Sequence, residues 1–303
     1  MYDVIVVGAG FGGLAAAKIL GKHASVLLID RHNYHCFTPL LYQVATAGLE
    51  PEEIAQPVRR ILSGNTFFLL AEVTKVDLAA RKVITPEREI PYLYLILAPG
   101  SVTNYFGLRS VEEQAFGLKD LQEAVVLRNH ILRQFEKATV EGDEQSRAAM
   151  LTFVIVGGGP TGVEMAGAVS ELVAVLKRRD YRGVGLEDVR VILLEAADRL
   201  LLPFRPALSD TALQALRGKG VEVVLGAKLA DATRGSVQLA DGRVIHSHTV
   251  IWAAGVLGSP IQLEPEVLRR QSARIPVQPT LQLPDYPEVY IVGDLDFLED
   301  DHG

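Results

Sequence analysis

The chain has 303 residues, a length that suggests two domains, and 49% of them are hydrophobic, enough for sizeable cores. A formal charge of −7, without any Lys/Arg-rich run, argues against nucleic acid as a partner. The single cysteine, Cys36, excludes an internal disulfide and a paired-cysteine redox centre and fits a reducing compartment; no apolar run reaches transmembrane length.

In chain order, Met1 leads directly into Tyr2–Val7, leaving no room for a signal peptide. That β-branched run reads as a strand buried on both faces. Gly8, Gly10 and Gly13 follow with G-x-G-x-x-G spacing. The first glycine permits a tight turn, the second lets a pyrophosphate approach the backbone, and the third lets helix pack on strand. Leu14–Leu20 reads as a helix stopped by Gly21, and its N-terminus offers unpaired N–H groups to an anion. Ser25–Ile29 is the next strand, and Asp30 at its end is placed to accept from the ribose hydroxyls of an adenosine.

Asn33–Leu62 reads as a long connection, functional or disordered, holding Pro39, Tyr42, Gln43 and Thr46; packing is the competing reading for Tyr42. His32 and His35 have no further ligand at metal spacing, so no metal site is expected and they read as loop hydrogen-bonders. Cys36 reads as a buried small hydrophobe. A meander follows, with a turn at Ala79-Ala80, before an apolar strand ends in Ala98-Pro99-Gly100. The stretch from Leu118 to Ala138 reads as an amphipathic helix capped at Asp120. Leu121, Ala124, Leu127, Ile131 and Phe135 lie on one face, which makes it core and a bridge between domains.

The second half repeats the first. Phe153–Val156 is a strand, and Gly157, Gly159 and Gly162 repeat the glycine spacing. Pro160 to about Arg178 is a helix, and Val189–Leu194 is a strand ending in Glu195. The acid comes later because the helix is longer and "DYRGVGLED" intervenes. A second meander, turning at Arg234-Gly235 and Asp241-Gly242, leads to a strand ending in Ala253-Ala254-Gly255. Gly8 and Gly157 are 149 residues apart, Gly100 and Gly255 155, so one architectural unit is used twice. Two dinucleotides held face to face, one donating electrons to the other, would need that arrangement. Glu164, placed in the first turn of the second glycine-motif helix, is either a carboxylate favoured by the helix dipole or a site residue.

These motifs resemble the two-dinucleotide-domain flavoproteins. "NYHCFTPLLYQVATAGLEPEEIAQPVRRIL", "GGGPTGVEMAGAVSEL", "VILLEAADRLLLPF", "TVIWAAGV" and "VYIVGD" are similar to type II NADH:quinone oxidoreductases over essentially the whole chain. The resemblance implies an α/β fold of two Rossmann-like units with inserted β-meanders, in a pyridine nucleotide-disulfide reductase-like architecture. It implies an FAD-binding domain over 1–112 plus 257–303 and an NADH-binding domain over 113–256. It assigns Gly8, Gly10, Gly12, Gly13, Asp30, Arg31, Val73 (through its backbone), Gly100, Gly293 and Asp294 to FAD. Gly157, Gly159, Thr161, Gly162, Glu195, Ala254 and Gly255 are assigned to NADH, and Glu164 to turnover, positioning nicotinamide or relaying a proton. Glu195 would repel a 2′-phosphate, so NADH is expected over NADPH.

The implied acceptor is a quinone, with a protein carrier, oxygen, or a non-catalytic binding remnant as alternatives. A peripheral place on the cytoplasmic side of the inner membrane is implied, and a homodimer stays open. Pro99 replaces the usual Thr, Leu93 a frequent Asp, and Asp296 a small residue. The resemblance also leads us to expect a C-terminally truncated member, lacking the helix beside flavin and quinone and the membrane-lying helices. On that expectation the chain is soluble, holds its cofactors poorly, and reduces ferricyanide better than quinone.

Overall fold

The computed structural model describes residues 2–181 and 189–299. Its principal elements in chain order are β1 (Val4–Val7), α1 (Phe11–Leu20), β2 (Val26–Asp30), α2 (Leu41–Ala45), β3 (Thr66–Leu70), β4 (Tyr94–Leu97), α3 (Leu121–Val140), β5 (Thr152–Val156), α4 (Pro160–Arg179), β6 (Arg190–Leu194), α5 (Pro206–Gly218), β7 (Val221–Val224), β8 (Thr249–Trp252) and β9 (Tyr286–Ile291). Of "DYRGVGLED", residues 182–188 lie outside the described ones.

The chain divides into two compact units. The first comprises residues 1–36, 55–103 and 256–303, the second residues 37–54 and 104–255. The expected boundaries stood at 112/113 and 256/257. The observed partings are at Thr103/Asn104 and Gly255/Val256, and the segment Phe37–Ile54 packs with the second unit.

In the first unit a six-stranded sheet runs Gln282–Leu283, β9, β4, β1, β2, β3, with every pairing parallel except that of the short edge strand. β1 is buried along its whole length, as its continuous Val/Ile run requires. One face packs on the meander Lys75–Asp77, Lys82–Ile84, Glu89–Pro91 through Val76, Val83 and Ile90, and the other on α1 through Leu14 and Ala17. The second unit repeats this at smaller scale. Its parallel sheet runs β7, β6, β5, β8, and its antiparallel meander is Leu229–Ala232, Ser236–Leu239, Val244–His246. Both meanders and their turns fall where the sequence puts them.

Strand limits shift by one or two residues from expectation. α1 begins at Phe11 rather than Leu14, because Gly12 and Gly13 already form its first turn. α4 is 20 residues long against 10 for α1, which accounts for ten of the sixteen residues by which Glu195 comes later than Asp30. α3 carries a full capping box: Glu123 N–H donates to Asp120 and the Asp120 N–H to the Glu123 carboxylate. Leu127, Ile131 and Phe135 are fully buried, and α3 lies wholly within the second unit. Asn33–Leu62 is ordered. Tyr34–Cys36 pairs antiparallel with Ala55–Pro57, and α2 packs on α3 and α4 through Leu41, Val44 and Ala45.

Candidate functional site

Parallel register brings three things to one level in each unit. In the first, Val7 pairs with Ile29 and Leu97, so Gly8, Asp30 and Ala98 meet at the carboxyl edge of the sheet. In the second, Val156 pairs with Leu194 and Trp252, so Gly157, Glu195 and Ala253 meet there. The backbone bonds repeat as well. Gly8 N–H donates to Ile29 and Ala98 N–H to Val7, while Gly157 N–H donates to Leu194 and Ala253 N–H to Val156, all at 2.8 Å.

The glycines divide into matching pairs. Gly8 and Gly157 have φ of +101° and +112°, a left-handed region that side chains avoid. A methyl group on Gly13 or Gly162 would run into the carbonyl of Gly8 or Gly157, so close helix–strand packing demands glycine there. Gly10 and Gly159 have open space where a side chain would be, each just before the first helical residue. An open cradle rimmed by helix N–H groups is what a pyrophosphate needs, so the residues present fit a dinucleotide in each unit.

The acids are already engaged. Asp30 accepts from Ala9 N–H at 2.6 Å and His32 N–H at 2.7 Å. Glu195 accepts from Gly158 N–H at 2.5 Å and Ala197 N–H at 2.7 Å. Each carboxylate thus clamps the residue after the first glycine of its own turn. Two oxygens carry about four lone pairs, so capacity remains for ribose hydroxyls. The sequence signals an acid at the strand end but not this internal bond, which only the register shows.

The other expected residues fall as follows. Val73 lies just past β3, whose end bonds beside Asp30 through Ala71 N–H to the Asp30 carbonyl; Arg31 is exposed next to that acid. Gly12 packs against Val292, and Gly100 (φ +73°) and Gly293 (φ +84°) are turn glycines. Asp294 meets the Ser101 hydroxyl, a partner the sequence reading missed. Asp296 accepts from Gly293 N–H at 2.9 Å, with its carboxyl raised by burial; the acid at this unusual position therefore fixes the Gly293 turn. Thr161 is exposed at the start of α4, and Ala254 is half-buried. Glu164 is the fifth residue of α4, not in its first turn, and its side chain is exposed. Its carboxyl is raised by partial desolvation.

His35 was read as a loop hydrogen-bonder and bonds through Nδ1 to the Ala9 carbonyl at 2.8 Å, with its ring edge-on to Phe11. His32 stacks on Tyr34. Cys36 is half-buried rather than buried. Tyr42 and Thr46 serve the α2 turn: the buried Thr46 hydroxyl donates to the Tyr42 carbonyl at 2.8 Å. No helix among the described residues is long and apolar enough to cross a membrane.

The sequence reading also missed Asn104–Phe106. Asn104 N–H donates to the Gly255 carbonyl at 3.0 Å, Trp252 Nε1–H donates to the Asn104 carbonyl at 2.8 Å, and Tyr105 stacks on Trp252. Two adjacent aromatics after a turn-forming asparagine were the available signal.

A family model described as pyridine nucleotide-disulphide oxidoreductase matches residues 2–299. The chain is 40% identical to the type II NADH:quinone oxidoreductase Ndh of Mycobacterium tuberculosis, covering 98% of this chain and 68% of the relative. It is 30% identical to the type II NADH:quinone oxidoreductase of Staphylococcus saprophyticus, covering 96% and 73%. The solved structure of NDH2 from Plasmodium falciparum in complex with NADH superposes with a TM-score of 0.90 at 25% identity, covering 98% of this chain and 64% of that one. The chain thus spans about two thirds of the length of the relatives it matches. With its duplicated glycine turns and this similarity along nearly all its length, the chain belongs to the pyridine nucleotide-disulphide oxidoreductase family and, within it, to the type II NADH:quinone oxidoreductases.

Proposed function

We propose that the chain is an FAD-dependent oxidoreductase that takes hydride from NADH and passes two electrons to a quinone. The observation that carries this is the duplicated carboxyl edge, in which each unit has an open central glycine, a helix start and an anchored acid. One such edge suffices to bind a cofactor; two in one chain allow transfer between cofactors. The relatives' names supply the acceptor.

The first unit is assigned to FAD and the second to NADH. FAD, when bound, supplies a ring that accepts hydride and gives up electrons in pairs. The protein's own contribution is binding and orientation. The starts of α1 and α4 stabilise the two pyrophosphates, and Asp30 and Glu195 accept from the two adenosine riboses. Asp294 offers its carboxylate to the sugar-alcohol chain of FAD. Glu164, with its raised carboxyl, holds or relays a proton beside the nicotinamide. A quinone acceptor dissolved in a bilayer calls for a peripheral place at the membrane surface, and the cytoplasmic side is the one the resemblance implies.

The test is optical. The purified chain is loaded with FAD, freed of excess, and mixed with NADH without oxygen. The flavin absorption should bleach, and a water-soluble quinone should restore it. Bleaching reversed only by oxygen or a protein carrier would move the acceptor. A chain that retains flavin yet never bleaches would not be this enzyme.

A further inference from the structure

In the second unit's sheet the order is β7, β6, β5, β8, all parallel. Glu195 ends β6, the glycine turn follows β5, and Ala253-Ala254-Gly255 follows β8. A dinucleotide with its adenosine ribose on Glu195 and its pyrophosphate on Gly159 must send its other half toward the end of β8. One large side chain stands there. Phe106 is 62% exposed, and its φ of +51° is a left-handed backbone that a bulky residue rarely adopts. The conformation is held in place. Phe106 N–H donates to Asn104 Oδ1 at 2.8 Å, and Asn104 N–H donates to the Gly255 carbonyl. The ring is edge-on to Trp252, with centroids 6.3 Å apart, and its tip lies 3.2 Å from where a side chain on Gly255 would begin.

Burial does not explain this ring, since most of its surface is open. A held, strained, exposed aromatic side chain at a ligand edge is a site feature before it is a packing feature. We propose that Phe106 is a positioning residue for the nicotinamide half of NADH, its ring packing against that half over the bare Gly255. The inference rests on the second unit as the NADH site. Asn104 fixes the ring, and Gly255 leaves room for it and for the ligand.

The experiment is calorimetry on the full, FAD-loaded chain with two probes: NAD+, and ADP-ribose, which lacks the nicotinamide. Phe106→Ala should weaken NAD+ roughly tenfold, as loss of one stacking partner does, and leave ADP-ribose within about twofold. Phe106→Leu keeps an apolar cover over Trp252 and should behave like Phe106→Ala; Phe106→Tyr should restore NAD+ binding. In turnover, Phe106→Ala should raise KM for NADH more than it lowers kcat. Equal weakening of both probes, or no weakening of either, overturns the assignment of Phe106. Gly159→Ala separates the underlying reading. If it abolishes ADP-ribose binding while Phe106→Ala changes nothing, the NADH site stands and only the role of Phe106 falls. If Gly159→Ala leaves ADP-ribose untouched, both fall.

Discussion

Glu195 clamps the Gly158 and Ala197 N–H groups, and in the proposed function the same carboxylate meets the ligand's ribose. A 2′-phosphate beside it suffers like-charge repulsion on the order of 1–3 kcal/mol, so NADH should be preferred roughly tenfold to a hundredfold. Glu195→Gln removes the charge and keeps one acceptor oxygen, enough for one of the two clamped N–H groups. It should narrow the NADH-over-NADPH ratio of kcat/KM while NADH affinity falls only modestly. Glu195→Ser is too short to reach both N–H groups and should weaken NADH as well. An unchanged ratio in the Gln variant would count against the assignment. The residue type and its place at a strand end were legible in the sequence. The clamp was not, because it joins residues 37 apart that only the sheet brings together. Selectivity engineering here must therefore replace an acceptor as well as remove a charge.

At the scale of an element, the glycine turns make contrasting predictions. Gly10→Ala places its methyl in open space and should leave Tm within about 2 °C, yet weaken FAD at least about tenfold by obstructing the pyrophosphate. Gly13→Ala drives a methyl into the Gly8 carbonyl. It should lower Tm by roughly 5–10 °C, as overpacking costs about 1–3 kcal/mol. Equal melting of the two variants would mean the glycines do not divide these tasks. α3 carries a pH response. His130 Nε2 lies 3.1 Å from the His248 carbonyl and 3.0 Å from Thr249 Oγ1, with the Phe116 ring 4.3 Å away. A carbonyl only accepts, so Nε2 bears a proton, in the neutral ring as in the charged one. Burial holds its pKa down to about 4. The unfolded chain, with a His pKa near 6.5, takes up the proton first as pH falls. Stability is therefore full above about 6.5 and is lost between about 6.5 and 4, by on the order of 1–2 kcal/mol for a ring that solvent still partly screens. Urea unfolding at pH 7 and pH 4.5 should show this loss in the wild type and a smaller one in His130→Gln, which donates to the same carbonyl without titrating. The amphipathic period of α3 was plain in the sequence. Asn33–Leu62 was not, because three-residue strands and one-turn helices are too short to show a period.

For the whole molecule, the duplication was legible because each unit has the same grammar of β-branched strand, spaced glycines, helix and acid. What the sequence left open was how the chain is shared out. Phe37–Ile54 crosses from the first unit's sequence into the second unit's packing through the apolar Leu41, Val44 and Ala45, a tertiary choice that no local pattern announces. Two separately built edges predict separable binding. Gly159→Ala should abolish ADP-ribose binding and leave FAD content unchanged, and Gly10→Ala should do the reverse, both read by flavin absorbance and calorimetry. Loss of both ligands in either variant would mean the edges are not independent sites. The chain's single tryptophan, Trp252, is 4% exposed and ends the strand that leads into Gly255. The molecule therefore carries its own optical label in one unit only. Melting the second unit changes that ring's surroundings and its emission colour, whereas the first unit loses its packing without moving any indole. If the proposed NADH assignment holds, the reduced nicotinamide, which absorbs where this indole emits, should quench it on binding, so light passed from ring to ligand would meter occupancy of that edge without a chemical tag.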